Sequence, residues 1–107
     1  MITITFTTEF AEENGLAKLA NPPAEITQLI QLVHFWATQH NITIHPMVIS
    51  EDNRVATSVY DVPSKEVYDA IMTHAEDNGI DIFTIGAKQR EFVESVGGTF
   101  TRVTEGL

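Results

Sequence analysis

Three features of this chain predict an α+β domain. Ile2, Ile4 and Phe6 alternate with Thr3, Thr5 and Thr7, the period of two that marks a half-buried strand. Ile26, Leu29, Ile30, Val33, Trp36 and Ala37 recur at helical spacing and form one apolar stripe. The balance of 43% hydrophobic and 20% charged residues is that of an ordinary globular protein. A length of 107 residues suits a single compact domain over 1–107, because a second would be too small to stand alone.

The elements follow in order. The opening strand leads into Glu9 to Asn21, which reads as irregular. Asn21-Pro22-Pro23 starts the first helix, with Asn21 as N-cap and proline in the first turn, where a missing N–H costs nothing. That helix is expected to run to about His40. Ile42, Ile44 and Val48 then lie on one side of a strand that Pro46 interrupts, so it is an edge strand or carries a bulge. Ser50-Glu51-Asp52-Asn53 is a turn, and Val55, Thr57 and Val59 alternate with Ala56, Ser58 and Tyr60 in a returning strand. Ser64 caps a second helix, with Glu66 near its positive end. Asn78-Gly79 ends it, with Ile80 packing back on Ala75.

Ile80 to Ile85 reads as a short apolar strand, Gly86 as the turn into a third helix, Gly97-Gly98 as its end, and Thr99 to Thr104 as a last strand. The order β-α-β-β-α-β-α-β has a split βαβ in its first six elements. The expected architecture is a ferredoxin-like βαββαβ sandwich with helices on one sheet face and an appended C-terminal αβ unit. A chain this small leaves little apolar surface for a deep internal pocket. That arrangement hosts many unrelated activities, so function has to come from particular residues.

Charge bounds the partners. Fifteen acidic residues face six basic ones, a net charge of −9. Such a field repels nucleic acid, anionic membranes and phosphorylated substrates, and speeds encounter with basic proteins. The absence of cysteine excludes disulfide and thiolate chemistry and mildly favours a reducing compartment. The first residues lack a basic region followed by an apolar run, and no stretch approaches about 18 apolar residues. A cytoplasmic protein without a membrane segment is the expectation.

The acidic residues form three local groups: Glu9, Glu12 and Glu13; Glu51 and Asp52; and Glu76, Asp77 and Asp81. Converging groups would imitate a row of phosphates and occlude the basic groove of a nucleic-acid-binding protein. Opposite the apolar stripe of the first helix, Gln28, Gln31 and Phe35 make an uncharged face, the composition of an interface core. It serves a foreign partner or a homodimer equally well, unless Glu9 to Asn21 folds over it and buries Phe35. Gly86-Ala87-Lys88-Gln89-Arg90 is the one local basic cluster. Free N–H groups at a helix start, with Lys88 and Arg90, suit a small anionic ligand.

His74 falls on the apolar stripe of the second helix, as a partly buried and satisfied side chain. His45, on the interrupted strand, is the best-placed general base. No histidine spacing matches a zinc site, and Glu51-Asp52-Asn53 lacks the pattern of a calcium loop. No metal and no cofactor are expected. The leading expectation is a non-enzymatic protein–protein interaction module. In its sharper form it inhibits a nucleic-acid-binding or nucleic-acid-cleaving protein by covering its basic surface, as immunity proteins and phage-encoded antagonists do. The alternatives are a regulatory domain that binds an anion at Lys88 and Arg90, and a cofactor-free enzyme using His45 and a neighbouring carboxylate.

Overall fold

The computed structural model describes residues 1–77 and 82–107, with the backbone alone for Leu29, Trp36, Ile71, Met72 and residues 74–77 and 82–87. The elements are β1 (Ile2–Glu9), a 3-10 helix (Gly15–Leu19), α1 (Ala24–Gln39), β2 (Thr43–Ile44), β3 (Val48–Ile49), β4 (Val55–Val62), α2 (Lys65–Asp77), α3 (Ile82–Ser95) and β5 (Thr99–Glu105). The sheet runs β2-β4-β1-β5, with β3 also on β4, and every pairing is antiparallel. Counting β2 and β3 as one broken strand, this is the split βαβ order expected from the pattern, in an α+β domain.

Register divides the sheet into two unlike faces. Ile4 stands opposite Tyr60 and Thr104, and Phe6 opposite Ser58 and Arg102. The even positions of β1 therefore share a face with Tyr60, Val62 and Phe100. On that face Ile2, Ile4 and Val62 are buried and pack against Val67 and Tyr68 of α2. The odd positions, Thr3, Thr5 and Thr7, share the other face with Thr57, Val59, Thr101 and Val103, on which no described helix packs.

Local chemistry sets most boundaries. Pro23 accepts the first backbone hydrogen bonds of α1, from Ile26 and Thr27. The start is thus two residues later than Asn21, because Pro22 and Pro23 hold an extended entry. Asn41, at φ 58°, ends α1 in the left-handed conformation that asparagine tolerates. The Ser64 hydroxyl accepts from Val67 N at 3.2 Å, as an N-cap should. Gly97, at φ 90°, closes α3, and Gly98 N donates back to Val93 O. The segment read as irregular contains the 3-10 helix, entered through Asn14 at φ 62°.

Three expectations change. Ile82 to Ile85 belongs to α3 and not to a strand. Ile82, Ile85, Gln89, Phe92 and Val96 continue one helical spacing, and the helix absorbs Gly86 at a cost of about 1 kcal/mol. The final strand is accordingly the fourth strand of the split βαβ order, paired with β1, and not part of an appended αβ unit. Ile44 and Val48 do not share a side. Ile44 faces Tyr60 and Val48 faces Thr57, so four steps along one strand match three along the other. The extra residue is the bulge that Pro46 called for, and it reverses the side chains beyond it. The Asn78-Gly79 cap with Ile80, and the backbone of Asp81, lie outside the described residues.

Candidate functional site

Side-chain size along the helix-covered face decides where the core fills. At one end Ile2, Ile4 and Val62 are large and buried. At the other, Phe10 is 2% exposed and packs into the room left by Gly15 and Gly98. Between them the sheet presents the small side chains of Thr8, Ala56 and Ser58. The result is a cavity of about 760 Å³. Its floor is Phe6, Ser58, Tyr60 and Phe100, and Ile26, Ile30 and Val33 of α1 form the roof. Phe92 and Val93 of α3, Leu16 and Leu19, and the broken strand at Ile44–Met47 and Ile49 close the sides. The sequence left little apolar surface for a deep internal pocket; the structure has instead an apolar cavity that opens to solvent.

The floor is aromatic across three strands. The Phe6 ring meets Tyr60 edge to face at 5.5 Å and stacks on Phe100 at 5.6 Å. Burial pushes the Tyr60 phenol above its ordinary pKa, so it remains neutral. Among the described residues, neither Ser58 nor Tyr60 has a hydrogen-bond partner for its hydroxyl. None of the described lining residues is Asp, Glu, Lys or Arg.

Of the residues singled out by sequence, His45 is at the side of the cavity and Lys88, Arg90, Gln28, Gln31 and Phe35 are not among its lining residues. Lys88 pairs with Glu25 of α1 at 2.5 Å, which raises the lysine's pKa. Arg90 Nε donates to Phe100 O at 3.1 Å. Both lie well inside α3, where N–H groups are spent on the helix, so the anion turn at Gly86–Arg90 does not form. Phe35 is 58% exposed, and Gln28 and Gln31 are exposed beside it, so the 9–21 segment does not cover that face.

Two acidic groups do converge. Asn14 N donates to Asp52 O at 2.8 Å, Leu16 N to Asn53 O at 3.1 Å, and Asn53 Nδ2 to Asn14 Oδ1 at 2.6 Å. These bonds bring the Glu12–Glu13 loop beside the Glu51–Asp52 turn, near the end of β1 that carries Glu9. Cations are interleaved: Lys18 lies 3.5 Å from Glu12, and Arg54 3.4 Å from Asp52. Ser50 donates to Asp52 at 2.6 Å and holds that carboxyl below its usual range. The side chains of Glu76, Asp77 and His74 and the whole of Asp81 are outside the described residues.

His45 does have a neighbouring carboxylate. Its Nε2 lies 2.5 Å from Asp61 Oδ2, and Thr3 Oγ1 donates to Asp61 Oδ1 at 3.0 Å. The register puts Asp61 and Thr3 on the helix-free face, outside the cavity, whereas His45 itself is among the residues at the cavity's side. Among the described residues, no group of three or more potential ligands is placed to hold a metal ion, and no helix is long and apolar enough to cross a membrane.

No known protein family matches the sequence, and no curated protein does. Solved structures do match in shape. A crystal structure from an uncultured marine organism, described as a dimeric ferredoxin-like protein, superposes with a TM-score of 0.52 at 15% identity, covering 100% of this chain and 94% of that one. The fold is ferredoxin-like. A second dimeric ferredoxin-like protein from an uncultured marine organism gives 0.46 at 14% identity, over 96% and 91% of the two chains. A designed protein with a ferredoxin fold gives 0.44 at 15% identity, over 99% and 85%.

Proposed function

We propose that this protein binds a small organic molecule in the cavity between α1 and the sheet. The observation that carries the reading is the cavity itself. Its volume lies within the range of about 300–1,000 Å³ typical of ligand pockets, and it combines apolar walls with a few unpartnered hydroxyls. Ligand binding replaces the interaction module as the reading the geometry favours. The test is a fragment library covering neutral, anionic and cationic compounds, followed by amide shift mapping. Hits are expected to shift Phe6, Ser58 and Phe100, and to be lost in Ala56→Leu, which fills the floor. Shifts scattered over the surface, or unchanged in Ala56→Leu, would sink the reading.

The working form is a homodimer joined through the helix-free sheet face. Thr5, Thr7, Thr57, Val59, Thr101 and Val103 make its centre free of charge in a chain of net charge −9, and Val103 is 53% exposed. A similarly folded protein described as dimeric adds support. Sedimentation is expected to give a dimer that Val103→Arg dissociates; a monomer at all concentrations rules it out.

A second reading, an acidic module that occludes a basic partner protein, is favoured by the convergence of Glu12, Glu13, Glu51 and Asp52. Capture of a basic protein that weakens with salt and is lost on reversing Glu12 and Glu13 to lysine would support it. Capture indifferent to both would remove it.

A further inference from the structure

We propose that the cavity takes an uncharged, flat aromatic or conjugated molecule whose polar group meets the Ser58 and Tyr60 hydroxyls. The inference rests on the ligand-binding reading above and narrows it to one chemical class.

The floor selects for flatness. Phe6, Tyr60 and Phe100 come from three adjacent strands and touch in sequence, at 5.5 and 5.6 Å between centroids, so their rings form a band across the sheet. Phe92 adds a ring from α3 at the side. A planar π-system gains offset and edge contacts on such a band that a flexible alkyl chain does not make, and it loses fewer rotamers on binding. The small positions beside the band, Thr8 and Ala56, leave depth for a ring system.

The walls select against charge. An anion entering the cavity meets no lysine or arginine among the described lining residues, only the imidazoles of His34 and His45, the second already bound to Asp61, and a cation meets no carboxylate. Either would leave its hydration shell without a permanently charged partner in the described lining. An anion is opposed a second time by the −9 field outside.

On the floor, polarity is offered at one place; His34, His45, Asn53 and Gln89 add polar groups elsewhere in the lining. Ser58 and Tyr60 are two residues apart on β4 and project to the same face, so their side chains are neighbours along the floor. Without partners of their own among the described residues, both are available to a ligand. The buried phenol stays protonated and serves as a donor. A molecule with one hydrogen-bonding group at the edge of a flat ring system satisfies them; a pure hydrocarbon leaves them unpaired.

The test uses matched fluorescent probes on the full chain. Phenylnaphthylamine is flat, neutral and carries one N–H; anilinonaphthalene sulfonate has the same framework with an added anion; dodecanol is a neutral alkyl competitor. Titrations are run at about 1 M salt, where screening over roughly 3 Å removes the outer field and leaves the cavity's own preference. Saturable binding of phenylnaphthylamine is expected, with the sulfonate at least about tenfold weaker and no displacement by dodecanol, in keeping with an unpaired buried charge. Tyr60→Phe and Ser58→Ala, which keep the shape of the floor, should each weaken it about fivefold. Equal binding of the sulfonate, displacement by dodecanol, or indifference to both hydroxyl deletions overturns the class while leaving the cavity as a binding site. Failure of every probe to saturate overturns the class and the binding reading together.

Discussion

Asp61 binds His45 across the edge of the sheet, carboxylate Oδ2 to imidazole Nε2 at 2.5 Å, and a hydroxyl from the next strand holds its other oxygen. The link joins the end of the broken strand to the centre of the sheet, on the face without helices. First the His45 hydrogen bond and then that of Thr3 hold the Asp61 carboxyl below its ordinary pKa of 3.8.

A carboxyl depressed in the folded state stabilises the fold above its unfolded pKa, and the contribution fades as pH falls through its lower folded value. The stability gap between the wild type and Asp61→Asn should therefore be widest above pH 3.8 and close in more acid solution. Thr3→Val should move the Asp61 midpoint upward in a carbonyl NMR titration. A gap independent of pH would mean that the carboxylate gains nothing from its partners.

Gly98 is a position of close approach. A Cβ there would meet Phe10 Cζ at 2.7 Å and Val93 Cγ1 at 2.8 Å. Gly98→Ala should cost about 1–3 kcal/mol in denaturant unfolding, the usual penalty for overpacking a filled core. Phe10→Leu in the same chain should recover part of that loss, and a double-mutant cycle would read the coupling. Strict additivity would show that the ring does not hold the alanine out.

Phe35 lies 58% exposed on α1. Phe35→Ala should change stability by no more than about 0.5 kcal/mol, as surface substitutions usually do. A thermal scan decides it. A loss of several degrees would mean that the ring is covered in solution, by a second copy or another protein.

The parts of this fold written in local chemistry were legible. Alternation over Ile2–Phe6 marks β1, and Ser64 and Gly97 mark a helix start and end because a hydroxyl acceptor and a positive φ are local needs. Pro46 marks the broken edge strand for the same reason. The run Ile82–Ile85 was not legible, because four residues of apolar chain fit a strand and a buried helix alike. It belongs to α3, and Lys88 and Arg90 lost their anion site with the turn. The cavity has no signature along the chain at all. It exists because Thr8 on one strand lies opposite Ala56 on another, a matter of register. The same holds for Asp61 beside His45 and for the Glu12–Asp52 convergence, where the meeting residues are far apart in sequence. Whether Phe35 is exposed or covered is likewise a matter of packing, which its place on α1 does not fix.

The extra residue between β2 and β3 ties two surfaces of the protein to one length of chain. It turns Val48 toward the helix-free face and leaves Ile49 at the rim of the cavity. Removing one residue from the 45–47 connection would exchange the two, altering the mouth of the cavity and the opposite surface in one step while every strand keeps its partner. Chain length at this edge therefore sets the mouth of the cavity and the opposite surface together, where a substitution in the sheet alters one face at a time.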